Sequence, residues 1–299
     1  MEHVHWTARP KLSSPVVVCA FTGWNDAGDA ASSAVRHLVG AWHAEPFASL
    51  DPEEFFDFQS TRPEVRLIDG HTREIAWPSN EMYYASTPGG DVVLLLGAEP
   101  QLRWRTFCRQ ITDVAREYSS SLVLTLGALL ADVPHTRPVS MVGTATDDAL
   151  IERFGLARSR YEGPTGVVGV LHDACNRAGL PSASLWAAVP AYAAAVPSPK
   201  AAMALVERAA AFVGSPVALD ELQAAGTQYE HDVDELVASD EDLSGYVRRI
   251  EMMAADDDDD DEDDDRPAGL HPAADDADPG TAARFVEDIE RFLRDHRPD

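Results

Sequence analysis

The side chains of this 299-residue chain that could do chemistry sit in short polar runs, each trailing an apolar stretch. Glu99, Arg105, His135, Arg137 and Glu162 offer carboxylates, guanidinium groups and an imidazole. Gathered in one cleft, they could move a proton and hold an anion. Arg62, in Thr61-Arg62-Pro63, would add another cation, and Trp104 precedes Arg105 directly. Gly163, Gly166 and Gly169, with Tyr161 and Thr165 nearby, open a helical pattern, so their backbone N–H groups could cradle an anion. That spacing matches neither the dinucleotide fingerprint nor the phosphate loop, and no Lys lies near it. The same residues have a plainer use, because mixed charges on adjacent loops also pair with one another and brace those loops.

The run Phe21–Ala30 contains Gly23, Trp24, Asn25 and Asp26 between an apolar strand and a helical pattern. Two readings of it stand. Asn25 or Asp26 caps the helix while Trp24 packs on the sheet edge, or the turn is a contact site. His135 and Thr136 lie in Pro134-His135-Thr136-Arg137-Pro138, where the imidazole could shuttle protons or simply brace the loop. The chain lacks a Gly-x-Ser-x-Gly elbow, a Cys-x-x-Cys pair and a His-Glu-x-x-His helix. No catalytic nucleophile, metal site or cofactor is therefore expected.

Positioning these loops requires alternating strands and helices. Pro15–Phe21, Asp91–Gly97, Leu122–Leu130 and Ser184–Val189 are near-continuous apolar runs, as strands covered on both faces are. Pro138–Thr144 reads as a shorter strand. Helical spacing appears at Ala30–Trp42, Trp104–Tyr118, Asp147–Phe154, Gly166–Ala178 and Ser198–Val213. This alternation predicts an α/β fold, three layers α/β/α around a mostly parallel sheet. The loops after its strands then share the carboxyl edge, where such sheets bind ligands. Glu53–Ser86 breaks the pattern, and Asp69-Gly70 between short apolar runs predicts an antiparallel hairpin.

The expected organisation is a core domain over 1–214, a helical appendage over 215–255, an acidic disordered linker over 256–280 and a terminal amphipathic helix over 281–299. In the appendage, Tyr229, Val233, Leu236 and Val237 share one helical face, and Leu243, Tyr246, Val247 and Ile250 repeat the pattern. Formal net charge is −27, of which residues 256–280 carry −12. The remainder, still −15, repels phosphate backbones and makes nucleic acid a poor partner. Three dispersed cysteines suit buried thiols in a reducing compartment. No signal peptide or bilayer-length apolar run is evident, so a cytoplasmic protein with no membrane partner is expected.

The segments Gly23–Ala30, Thr61-Arg62-Pro63, Ala76-Trp77-Pro78, Gly97-Ala98-Glu99-Pro100, Trp104-Arg105, Pro134–Pro138, Tyr161–Gly166 and Pro197–Ala201 occur in collinear order. They resemble the second type of proteasome assembly chaperone, in its actinobacterial form. The resemblance implies a three-layer fold related in topology to nucleoside phosphorylases and hydrolases, and a non-catalytic chaperone role. Some archaeal relatives dock through a hydrophobic-Tyr-any tail, whereas this chain ends Arg297-Pro298-Asp299. Two functions follow as expectations. The first is a non-catalytic, self-associating factor, a homo-oligomer with a trimer as one option, whose partners include proteasome subunits. The alternative is a hydrolase-, phosphorylase- or ligase-like enzyme acting on a small anion such as a nucleoside phosphate.

Overall fold

Apolar residues without polar alternation build the centre of the molecule, because each central strand is buried on both faces. The computed structural model describes residues 1–260, with side chains to residue 254. In chain order its strands are β1 (Val4–Trp6), β2 (Val16–Thr22), β3 (Glu45–Leu50), β4 (Glu64–Ile68), β5 (Thr72–Ala76), β6 (Asn80–Thr87), β7 (Gly90–Ala98), β8 (Leu122–Ala131), β9 (Met141–Ala145) and β10 (Ser182–Pro190). The helices are α1 (Ala30–Ala41), α2 (Pro52–Phe55), α3 (Trp104–Glu117), α4 (Asp148–Phe154), α5 (Val167–Ala178), α6 (Pro199–Val213), α7 (Asp220–Ala238) and α8 (Glu241–Asp260). Residues 256–260, the start of the segment expected as an acidic disordered linker over 256–280, belong to α8; the rest of that segment and the helix expected over 281–299 lie outside the described residues.

Eight strands form one sheet in the order β1-β3-β6-β7-β2-β8-β10-β9. Its centre, β7-β2-β8-β10, runs parallel. On one side β6, β3 and β1 continue it antiparallel, and β9 closes the other side antiparallel to β10. Val18, Leu94, Leu124 and Leu126 face one way into a core shared with α1 and α6. Val17, Leu95 and Val123 face the other way, against α3 and α5. Three layers result. Cys19, Cys108 and Cys175 all lie in this second core, with burial pushing Cys108 and Cys175 up to about 12 and Cys19 well above its usual value.

Local chemistry places the helix ends. Asp26 Oδ1 accepts from Ala31 N at 2.7 Å and Ser32 N at 3.1 Å, so the aspartate of the opening run does cap α1. Asp147 accepts from Leu150 N, and Ser198 caps α6 with Pro199 in the first turn, where its missing N–H matters least. Asp240 Oδ1 receives Asp242 N and Leu243 N at the start of α8. Within the appendage Tyr229, Val233, Val247 and Ile250 are buried, whereas Leu236 is exposed despite its helical register.

The β4–β5 hairpin stands apart from the main sheet and pairs only with itself. Asp69 and Gly70 both take positive φ in its turn, the conformation that an Asp-Gly pair supplies. Several elements went unread in the sequence, among them the short helix α2 and strands β3 and β1. Strand β3 contains Pro46, normally a strand breaker, and tolerates it beside a register shift at Pro46–Ala48. Strand β1 is only three residues long. Among the described residues, no helix is long and apolar enough to cross a membrane.

Leu124, fully buried at the sheet centre, and Leu67, exposed on the hairpin, carry the same side chain in opposite environments. Leu124→Ala is expected to lower unfolding free energy by about 2–5 kcal/mol. Leu67→Ala should change it by no more than about 0.5 kcal/mol. Urea titrations of both variants check this contrast.

Candidate functional site

The loops that leave the carboxyl ends of β2 and β7 meet the N-terminus of α5, and Glu99 joins all three. Its Oε1 accepts from Asn25 Nδ2 at 3.0 Å and from Val167 N, the first residue of α5, at 2.7 Å. The Trp24 backbone N–H also bonds to this carboxylate, and Glu99 N donates to Thr22 O at 2.9 Å. A carboxylate at a helix N-terminus is favourably placed against the helix dipole. Glycine is required at 166, because an added Cβ would lie 2.7 Å from Glu99 Oε1 and collide with the Asn25 amide. Gly23, at φ +125, is a second point where only glycine is relaxed, and it sits over the Glu99 side chain.

Burial pushes the Glu99 carboxyl above its ordinary range, against the opposing pull of the bonds from Val167, Trp24 and Asn25. Asp26 is likewise raised, mainly by burial, and its Oδ2 has no protein partner among the described residues. Ala128 N donates to Asn25 O at 2.8 Å, so the first loop is also tied to β8.

Beside this joint opens a cleft of about 230 Å³. Trp24 and Asn25 stand on one side, Tyr161, Pro164 and Thr165 on another. Val168, Gly169 and His172 of α5 form a wall, with Leu129, Val142, Thr144, Ser184 and Trp186 contributed by β8, β9 and β10. Tyr161 donates through its hydroxyl to Pro164 O at 2.6 Å, with its ring close over Gly163. Among the described residues, no Asp, Glu, Lys or Arg lines this cleft.

The remaining singled-out residues do not join it. His135, at 3 % exposure, belongs to a separate latch between the loop after β8 and the appendage. Its backbone N–H donates to the Tyr192 hydroxyl at 2.8 Å, and its Nδ1 faces the same hydroxyl at 2.7 Å. Nε2 lies 3.0 Å from Asp234 Oδ1 on α7. An ionised carboxylate only accepts, so Nε2 donates to Asp234. Lys200 Nζ donates to His135 O at 2.6 Å and pairs with Glu230 of α7. Thr136 Oγ1 donates to Glu251 of α8 at 2.8 Å, and Tyr246 reaches back to Asp132 at 2.7 Å.

Arg137 lines a void of about 10 Å³ beside His135, apart from the cleft. Arg62, Arg105 and Glu162 are exposed and outside the cleft lining. Trp104 is half-buried, its indole N–H donating to Pro100 O. The single acid, base and anion-binding cleft expected from the sequence therefore divides. Trp24, Asn25, Tyr161 and Thr165 come together around a neutral cleft, Glu99 and Gly166 hold it from behind, and His135, Thr136 and Arg137 serve another joint. Trp186, His172, Ser184 and Thr144 line the cleft without having been singled out. Their one sequence signal was Gly127 inside a buried apolar strand, since glycine there marks a close approach. A Cβ at that position would sit 2.6 Å from the Trp186 ring. Among the described residues, no group of His, Cys, Asp and Glu could hold a metal ion.

A protein-family model described as the PAC2 family matches residues 20–237. The chain belongs to the PAC2 family. Its architecture is similar to that of a PAC2 family protein from Streptomyces avermitilis, at 45% identity and a TM-score of 0.73, over 78% of this chain and 99% of that one. It is also similar to a proteasome-assembly chaperone homologue of Mycobacterium tuberculosis, at 46% identity and 0.71, with the same shares covered. Pyrococcus furiosus PbaA, an archaeal homolog of proteasome-assembly chaperone, shares the fold at 15% identity and a TM-score of 0.58, over 84% of this chain and 99% of that one. No curated protein matches the chain. The actinobacterial PAC2 resemblance and the α/β architecture with helices on both faces of the sheet thus stand as read.

Three expectations test the joints of this PAC2 fold. Glu99→Ala strips the carboxylate from three segments and should cost about 2–3 kcal/mol of stability. Asp26 and Glu99 are raised in the folded state, so the stability they confer is present below the ordinary carboxylate pKa and lost as pH rises through their elevated values. Asp26→Asn should flatten the fall of Tm as pH rises above the ordinary carboxylate pKa of about 4. Calorimetry of both variants from that pH upward reads the two effects. Asp234→Ala, measured by hydrogen exchange, should raise exchange in α7 while β2 and β8 stay protected.

Proposed function

We propose that this protein is a non-catalytic, self-associating protein-binding factor akin to proteasome assembly chaperones, with proteasome subunits among its partners. The observation that carries the reading is the β4–β5 hairpin. Val65, Leu67, Ile68, Ile75 and the adjoining Trp77 are each 44–60 % exposed. Val65 and Ile75 are cross-strand partners, with Leu67 beside them on the same face. A contiguous apolar ribbon of this kind marks an interaction surface. Residues 62–77 hold three Arg against three acids, a net charge of zero in a chain of −27. Between two copies that repel each other strongly, a neutral apolar arm is the surface that can come into contact. Second copies of the chain are therefore assigned to the hairpin.

The commitment of the ionisable groups supports the same reading. Glu99 braces loops and His135 latches the appendage, so neither is free for proton transfer. The competing enzyme on a small anionic substrate needs cations at the cleft, and among the described residues its lining has none.

Size-exclusion chromatography with light scattering tests the proposal. The full chain should run as a homo-oligomer, and the double variant Val65→Thr, Leu67→Thr as a monomer with unchanged thermal stability. Immobilised full-length protein should also retain purified proteasome α subunits. A monomeric parent that retains none of them would end this reading.

A further inference from the structure

The cleft between Trp24, Tyr161 and Trp186 has the makings of a ligand site that is independent of the hairpin. Its volume, about 230 Å³, exceeds the roughly 150 Å³ of a dry engineered cavity that takes up benzene. Its walls are chiefly aromatic and aliphatic. The Trp186 ring lies against Gly127, where any side chain would displace it, so the sheet itself presents an indole as part of the floor. Trp24, at 36 % exposure, keeps a second indole at the mouth. Aromatic faces set around a narrow space favour a planar ring system between them.

Charge narrows the ligand class. With no Asp, Glu, Lys or Arg in the lining among the described residues, a phosphate, carboxylate or ammonium entering the cleft would lose its water with no counter-charge from the lining to replace it. His172, the one titratable imidazole in the wall, is pushed toward its neutral form by burial. Its Nδ1 meets Ser182 Oγ at 3.2 Å, which leaves Nε2 for something else. The Ser184 and Thr125 hydroxyls pair at 2.7 Å beneath the cleft. A pocket that is mainly apolar, with a few neutral polar groups to fix orientation, is the usual form of a small-molecule site.

We propose that this cleft binds an uncharged aromatic small molecule of one or two fused rings, sandwiched by Trp24 and Trp186 and oriented by hydrogen bonding to His172. The claim stands whether or not the hairpin mediates self-association, because it rests on other residues.

Titration of 5-fluoroindole into the full chain, followed by fluorine NMR, tests it. Saturable line broadening is expected. Trp24→Ala should weaken binding about tenfold, and Thr144→Trp, which fills the cleft from β9, should abolish it. Circular dichroism and melting curves show that each variant is folded. The charged analogues indole-3-acetate and tryptamine should bind at least tenfold more weakly than 5-fluoroindole. Absence of saturable broadening would overturn the proposal. So would affinity indifferent to both substitutions, or charged analogues that bind as well. If N-acetyltryptophanamide binds more tightly than the free ring, the cleft is a socket for a partner's side chain, and the proposal likewise falls.

Discussion

One half-buried carboxylate governs the functional end of this molecule. Glu99 lies at the carboxyl end of β7, and its acceptor sites face the Asn25 amide, the Trp24 backbone and the first N–H of α5. Those groups come from parts of the chain more than seventy residues apart on one side and nearly seventy on the other. An unpaired carboxylate in that position would be strongly unfavourable, so the loops are held to a single arrangement. The close approach of Gly166 follows from it, since a side chain there would prevent the joint from closing, while Gly23 supplies the positive φ of the turn. The cleft beside it owes its shape to this fixed frame, with Trp24 placed by the same short turn that supplies the backbone donor.

A second polar joint helps to hold the appendage. Tyr192, His135 and Asp234 form a chain of hydrogen bonds, and Lys200 ties the same loop to Glu230. Burial pushes the Tyr192 hydroxyl up to about 12, so it stays protonated and able to donate. Apolar contacts at this junction centre on Ala193, Tyr229 and Val233, and Val217, Leu219 and Leu222 pack against the main core, so polar and apolar contacts together hold the appendage.

Much of the architecture was legible because the central strands are apolar on both faces, a pattern that only a covered sheet explains. Helix starts were legible through Asp26, Asp147, Ser198 and Asp240, whose side chains do satisfy first-turn N–H groups. The hairpin was legible through Asp69-Gly70. Strand β3 was hidden by Pro46, and β9 was visible as a strand but not in its antiparallel sense, which depends on the chain reversing past β10. Residue type alone could not divide the polar loops between two joints. Whether Glu99 and His135 face a cleft or brace a neighbour is settled by donors that lie far away in sequence, such as Val167 and Tyr192. The cleft walls were least legible of all, because Trp186, Val142 and Leu129 lie in apolar strand runs that read as ordinary core.

The placement of the cysteines gives the fold an unevenly distributed chemical marker. All three thiols lie in the layer between the sheet and α3 with α5, and the layer under α1 and α6 contains none. Their elevated pKa values keep them as thiols rather than reactive thiolates while that layer is closed. An alkylating reagent therefore records openings of one half of the protein and is blind to the other. Labelling rates compared with amide exchange would separate a molecule that opens as one cooperative unit from one whose two faces come apart in turn.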